Sequence, residues 1–347
     1  MAEGNGGNET NKKPGVIPVG IKVGSQKTVI AMGDEIHVEE TCIREKENPV
    51  TGTKDYIIGN DASELYGDDV TYMLRGGLPA TEEEAELLRI FLGEVAKKYG
   101  IPENSYVTYA IPSTELEEGI GLFKKVVSQV PIGWSGKEVW NDSFLASLAL
   151  PEGLGILDRT YAVINLGSTT TEFVAVRKGE IVFSMVTGEV SGDVVDRWIK
   201  NEIMNLTRGA VNVDLSTARE YKEKYANLLE WKNIKETVQL FEKGQFTFRL
   251  DEAVNRPVER YLDGLIDFVT LEVLPSLAEF NFKIYRLVTG SEFVLTGGMA
   301  RIPGLKEKFE TKLSDALGSA IKIRVPDDPL TASAKGALTI STLRIKK

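Results

Sequence analysis

Two short stretches, IKVGS at residues 21–25 and INLGS at residues 164–168, share one pattern: an apolar strand run stops at a Gly-Ser turn and resumes as a β-rich run. A shift of 143 residues superimposes them, bringing Thr28 onto Thr171, and each is followed by a turn carrying Gly-Asp-Glu or Gly-Glu before a further strand. Such a unit, met twice, points to a duplicated α/β domain, with chance likeness of two ordinary β-hairpins as the alternative. A third site, FVLTGGMARIPGL at residues 293–305, runs a buried-type strand into Gly297-Gly298, then a turn at Pro303-Gly304 and a helix over residues 305–317. Adjacent glycines let the backbone approach a flat or anionic ligand without a Cβ in the way, and the helix start offers N–H groups. Each turn alone is no more than a turn requires. Together they suit a phosphorylated ligand cradled between two halves.

The remaining pattern fits that plan. Residues 16–21, 28–32 and 36–43 read as a β-meander, and residues 80–98 as a helix with apolar positions at Ala85, Leu88, Ile90, Leu92 and Ala96. Residues 106–111 form a strand ending at Pro112, followed by a helix over 114–127 for which Ser113 and Thr114 offer capping hydroxyls. Residues 161–166 are a second buried-type strand. At roughly 150 residues per domain, 347 residues suggest about two domains. Residues 1–14, rich in Gly, Asn and Lys without an apolar core, read as a flexible tail, neither signal peptide nor amphipathic anchor.

Composition removes several chemistries. One histidine, His37, and one cysteine, Cys42, make no structural zinc site and no disulfide, and leave carboxylates, hydroxyls, lysines, backbone amides and hard cations such as Mg²⁺ as the repertoire. A net charge of −10 gives no footprint for nucleic acid and disfavours an anionic membrane surface, and the unpaired Cys42 suits a reducing cytoplasm.

In this order the segments resemble the actin superfamily of two-domain ATPases, which includes actin, MreB, MamK and the heat-shock chaperone ATPase domain. VGIKVGS at 19–25 resembles the first phosphate loop, VINLGSTTTE at 163–172 the second, and residues 293–305 the adenosine motif. DPLT at 328–331 and AKGAL at 334–338 are similar to the stretch leading into the last helix of MreB. The resemblance implies an α/β, actin-like ATPase fold: two duplicated ribonuclease-H-like domains facing a nucleotide cleft. Domain I would span 15–160 with a small subdomain over about 34–100. Domain II would span 161–347 with a small subdomain over about 205–275, and a last helix over about 331–345 would return to domain I.

The same resemblance implies the site. Gly24, Ser25, Gln26 and Lys27 with Gly167, Ser168, Thr169, Thr170 and Gly192 would hold the phosphates of ATP or ADP, GTP being the open alternative. Gly297, Gly298 and Met299 would floor the base. AREYKEKY at 218–225 is similar to the actin helix whose Arg, Lys and Glu flank the adenine, here Arg219, Lys222 and Glu223; a solvated charged helix is the plain alternative. DSFLASLAL at 142–150 resembles the MamK and MreB segment carrying the acid that orients the attacking water, which makes Asp142 that acid, with helix N-capping as its structural alternative.

Two departures stand out. The family's loops each begin with an Asp directed at hydrated Mg²⁺; here Lys22 and Asn165 stand there, a change of three charge units. Lys22 could pair with the β- and γ-phosphates and partly substitute for the metal, Mg²⁺ remaining the expected cofactor at an atypical site, held through water and phosphates. Nucleotide binding is then expected to survive, with hydrolysis slowed by Lys22 and Asn165. At this length a chaperone's peptide-binding domain is not expected. The expected role is a self-assembling prokaryotic cytoskeletal filament with a cargo or adaptor partner, MamK-like in positioning an organelle, or MreB-like or plasmid-segregating. A non-polymerising, nucleotide-regulated scaffold is the competing reading.

Overall fold

The computed structural model describes residues 15–66, 69–113, 117–240 and 244–346; the tail at 1–14, Thr114 of the expected helix cap and Lys347 lie outside the described residues. The chain opens with β1 (Pro18–Val23), β2 (Lys27–Met32) and β3 (Glu35–Glu40), an antiparallel meander. Next come β4 (Cys42–Glu47), β5 (Lys54–Ile58), α1 (Gly59–Tyr66) and β6 (Thr71–Tyr72), a small sheet in the order β5-β4-β6. The run read as one strand over 36–43 is thus two strands in different sheets. Thr41, whose N–H reaches the Gln26 carbonyl at 2.7 Å, is the last rung on β2; from Cys42 the chain pairs with β5 and β6 instead.

Helix α2 (Glu82–Lys98) begins where the hydroxyl of Thr81 accepts the N–H of Glu84, and buries Leu88, Phe91, Leu92 and Val95 at helical spacing. Strand β7 (Tyr106–Ile111), α3 (Glu117–Gln129) and β8 (Gly136–Asn141) complete a five-stranded sheet, β3-β2-β1-β7-β8, in which β7 runs parallel to β1 and β8 parallel to β7. The short α4 (Asp142–Ser147) follows directly.

The second half repeats this plan. Strands β9 (Thr160–Leu166), β10 (Thr171–Arg177) and β11 (Glu180–Thr187) form the same meander. A longer insertion carries α5 (Gly192–Leu206), α6 (Leu215–Tyr225), the hairpin β12 (Lys235–Leu240) and β13 (Gly244–Arg249), α7 (Leu250–Asp267), α8 (Leu274–Phe280) and α9 (Phe282–Thr289). Strand β14 (Glu292–Thr296), α10 (Leu305–Leu317) and β15 (Lys322–Arg324) close a second five-stranded sheet, β11-β10-β9-β14-β15, with β14 parallel to β9. The two sheets have one topology, β1, β2, β3 and β7 of the first corresponding to β9, β10, β11 and β14 of the second.

Helix α11 (Ala332–Ile345) returns to the first half and lies between β1 and α4. Its approach is close enough to demand glycine on both sides. A Cβ on Gly20 would stand 2.1 Å from the Ala334 carbonyl oxygen, and one on Gly336 would stand 1.9 Å from that of Leu145. Each sheet has its own core on one face, and a third apolar cluster, with Ala110, Leu145, Val163, Val294, Ala337 and Ile340, joins the halves. Strand alternation decides what faces that joint. Val19, Ile21 and Val23 enter the first core, so Gly20 and Lys22 point the other way; Ala162, Ile164 and Leu166 enter the second, so Val163 and Asn165 point back.

Candidate functional site

The two Gly-Ser turns meet across a cleft. Each is closed by the same hydrogen bond, Gly24 N–H to the Lys27 carbonyl at 3.2 Å and Gly167 N–H to that of Thr170 at 2.9 Å. In each a Cβ on the glycine would come within 2.7 Å of that carbonyl oxygen, so the turn admits no side chain there. Across the cleft the Ser25 and Thr169 hydroxyls lie 2.8 Å apart, and Gly77 N–H donates to Ser25 Oγ at 2.8 Å. Gln26 Nε2 donates to Asp193 and Lys27 Nζ to Glu223 at 2.8 Å. Three consecutive residues of the first turn therefore bind the second half.

Behind the turns is a cavity of about 450 Å³, within the range of small-molecule sites. Gly24, Ser25, Gln26, Lys27, Gly167, Ser168, Thr169, Thr170, Gly192, Lys222, Glu223, Gly298 and Met299 line it, with Lys22, Asp142 and Asn165 at the end where the turns meet. Two expected residues sit elsewhere. Gly297 (φ +90°) lies beneath the lining, where a Cβ would come 2.4 Å from the Leu166 carbonyl oxygen and 2.6 Å from Asn165 Oδ1. Arg219, one turn before Lys222 on α6, reaches Asp196 (3.4 Å) and the Tyr72 hydroxyl (3.3 Å) instead, tying α6 to the small sheet of the first half. The start of α10 also turns from the cavity, with Gly304 packed against Leu229. Lining residues that the sequence reading gave no individual site role include Gly77 and Ala226, along with Arg301, Ile302, Pro303 and Leu330 within its motifs at 293–305 and 328–331.

Lys222 is a wall more than a free cation. Its Nζ lies 2.6 Å from Asp196 Oδ1 and donates to the Gly192 carbonyl at 2.9 Å, fastening α6 to the first turn of α5. Burial pushes the Asp193 carboxyl up against the pull of Arg219, and burial likewise raises Glu40, which Lys27 and Arg219 oppose.

At the far end, Asp142 occupies the first turn of α4. Its alternative role as N-cap falls to Asn141, whose side chain accepts the Phe144 N–H at 2.7 Å. Asp142 Oδ2 receives Asn165 Nδ2 at 2.8 Å and stands 3.6 Å from Lys22 Nζ, while its Oδ1 is buried with no hydrogen-bond partner among the described residues. Beside it Glu172, paired in register with Asn165, accepts from Ser113 N (2.6 Å), Asn141 Nδ2 (2.9 Å) and Ser143 Oγ (2.5 Å). Burial raises the Glu172 pKa against those donors, and the charge of Asp142 adds to the rise. Sequence reading gave Glu172 no role, although a glutamate opening a buried strand is a visible signal.

A profile of the salactin family matches residues 16–345. The chain belongs to the salactin family. It is 36% identical over 329 residues to salactin of Halobacterium salinarum, covering 93% of this chain and 91% of that protein. Its fold is that of the actin superfamily, in the manner of MreB and MamK. It is similar to the MamK double helical filament (TM-score 0.76, 19% identity, 94% of this chain and 98% of that one). It is similar also to MreB5 of Spiroplasma citri bound to ADP (TM-score 0.74, 18% identity, 95% and 98%). The same MreB5 bound to AMPPNP matches at TM-score 0.74, with 17% identity, 96% and 98%.

For this fold Mg²⁺ is the expected companion of a nucleotide, and the donor set does not fit it. Among the described residues no group of three His, Cys, Asp or Glu side chains could hold a metal ion. The residues at the two loop positions are an ammonium and an amide, the ammonium already beside the one carboxylate.

Proposed function

We propose that this protein is a nucleotide-dependent cytoskeletal subunit that binds ATP or ADP between its halves, polymerises head to tail with copies of itself, and hydrolyses the nucleotide slowly. The observation that carries the reading is the meeting of the two like turns, Ser25 to Thr169 at 2.8 Å, over a lined cavity. The backbone of Gly24–Lys27 and Gly167–Thr170 would take the phosphates; Gly298 and Met299 with Lys222 and Glu223 would take the base. Asp142, with its unpartnered Oδ1, would orient the attacking water, and slow turnover follows from Lys22 and Asn165 beside it. The MreB5 structures bound to ADP and AMPPNP support the nucleotide, and the MamK double helical filament supports self-assembly by contacts that do not close on themselves.

A cytoplasmic place suits the composition; among the described residues no helix is long and apolar enough to cross a membrane. Positioning of an organelle through an adaptor is the finer reading, supported by the likeness of residues 142–150 to MamK, and imaging of a fluorescent fusion tests it. Sedimentation with ATP, ADP, GTP or no nucleotide, followed by negative-stain microscopy, tests the main proposal. Filaments that appear with ATP are expected. Nucleotide binding without any pellet would instead support a non-polymerising scaffold.

A further inference from the structure

The end of the cleft where the two turns meet has its own fixed cation. Strand alternation turns Lys22 and Asn165 toward each other, and both, with Asp142, are more than nine-tenths buried. Lys22 Nζ is 3.6 Å from Asp142 Oδ2, and Asn165 Nδ2 donates to that same oxygen at 2.8 Å. The three side chains sum to no net charge. Glu172, the other acid in contact with this group, is held by Ser113, Ser143 and Asn141. A divalent cation seated among them would be repelled by a buried ammonium and would have to share the single carboxylate with it. A polyphosphate meets the opposite situation: the ammonium lines the cavity, has three donors and is held by one ion pair to an oxygen that already takes a hydrogen bond.

Resting on the nucleotide reading above, we propose that Lys22 is the resident counter-ion of the site, so that this chain binds a nucleoside di- or triphosphate in its metal-free form. The terminal phosphates carry more charge than the shared Asp142 oxygen and draw the ammonium toward them. Asp142 is thereby released from Lys22 when the phosphates are present, and the acid proposed to orient water is freed by the group it acts on. Asn165 keeps Asp142 in place through Nδ2, a role that the amide fills and an aspartate at 165 would not.

The test is calorimetric titration of the intact protein with ATP, once in excess EDTA and once in excess Mg²⁺. Wild-type binding is expected to be roughly tenfold or more tighter in EDTA than in excess Mg²⁺, because Mg²⁺ withdraws the metal-free nucleotide by mass action, and equal affinities in the two conditions would overturn the proposal. Lys22→Met is expected to lose roughly tenfold or more in EDTA, as the loss of a charge-assisted contact implies. The double variant Lys22→Asp, Asn165→Asp is expected to bind only with Mg²⁺. Wild-type binding that is lost in EDTA but present with Mg²⁺ would overturn the proposal while leaving the nucleotide reading intact. Lys22→Met binding as wild type in EDTA, with an unchanged circular dichroism spectrum, would also overturn it. No binding in either condition would overturn both readings. The wild-type comparison decides the matter even where a variant fails to fold.

Discussion

Lys222 is expected to matter first for holding the cleft together, and its removal gives a measurable quantity. The Lys222 and Asp196 side chains are 7% and 2% exposed, with Nζ and Oδ1 2.6 Å apart. At an effective dielectric of about 20 that separation corresponds to roughly 6 kcal/mol of attraction, most of which is offset by the cost of taking both ions out of water. The pair contributes little net stability, yet breaking it leaves a buried carboxylate, which costs about 3–5 kcal/mol. Arg219 remains 3.4 Å from Asp196 Oδ2, so Lys222→Met should fall near the low end, ~3 kcal/mol. With an m value of about 3 kcal/mol/M, the urea midpoint should drop by roughly 1 M. Trp198 lies on α5 two residues after Asp196, and with the other three tryptophans it makes intrinsic fluorescence a probe of the transition. Adding Asp196→Leu removes the stranded charge and should restore about 2 kcal/mol relative to the sum of the single changes. A loss below about 1 kcal/mol for Lys222→Met, or strict additivity in the double variant, would refute this account and return Lys222 to a purely ligand-binding role.

Two further outcomes follow from the packing and the buried acid. Gly336→Ala should destabilise by about 1–3 kcal/mol in thermal melts despite its helix-propensity gain, because the new methyl meets the Leu145 carbonyl at 1.9 Å; Gly93→Ala on α2, with nothing within 4 Å of its Cβ, should stabilise by about 0.5–1 kcal/mol. Glu172 has its folded pKa raised by burial, so the folded state holds a proton that the unfolded state releases above the ordinary glutamate value of 4.5, and stability falls with pH between that value and the folded pKa. Glu172→Gln should flatten that fall, by at most about 1.4 kcal/mol per pH unit, and an unchanged slope in urea titrations from pH 4 to pH 8 would count against the raised pKa.

The duplicated framework was legible because its signals are local. The 21–25 and 164–168 turns each follow a run of strand formers, and the positions of Lys22 and Asn165 on the facing side follow from period-two alternation alone. The path after β2 was not legible for the opposite reason. Residues 36–43 read as one strand, and the change of sheet after Thr41 is set by the new partners of Cys42 and Ile43, Tyr72 and Ile58, which no local composition announces. The α6 face shows the same limit. Spacing placed Lys222 and Glu223 on the cavity with Arg219 a turn earlier, but Arg219 is drawn away by Tyr72, 147 positions distant in sequence, and by Asp196 on another helix. Asp142 stood beside a better N-cap in Asn141, and only the resolved side chains separate the two. Glu172 was missed because its burial depends on three donors from the loop after β7 and the start of α4.

The contacts that close the cleft are made by the same residues that would hold a ligand. Ser25 meets Thr169, Gln26 meets Asp193, and Lys27 meets Glu223, while an apolar cluster that includes residues of α4, α11, β7, β9, β10 and β14 also joins the halves. Part-buried or exposed polar contacts of this kind contribute on the order of 1 kcal/mol each, so the turn side of the cleft is the weaker of its two attachments. A polyanion entering there would compete for the Lys27 and Ser25 donors and at the same time bridge both turns, replacing several weak contacts with charge-assisted ones. Closure and ligand binding therefore draw on one set of groups, separate from the close packing of α11 on the first half at Gly20 and Gly336.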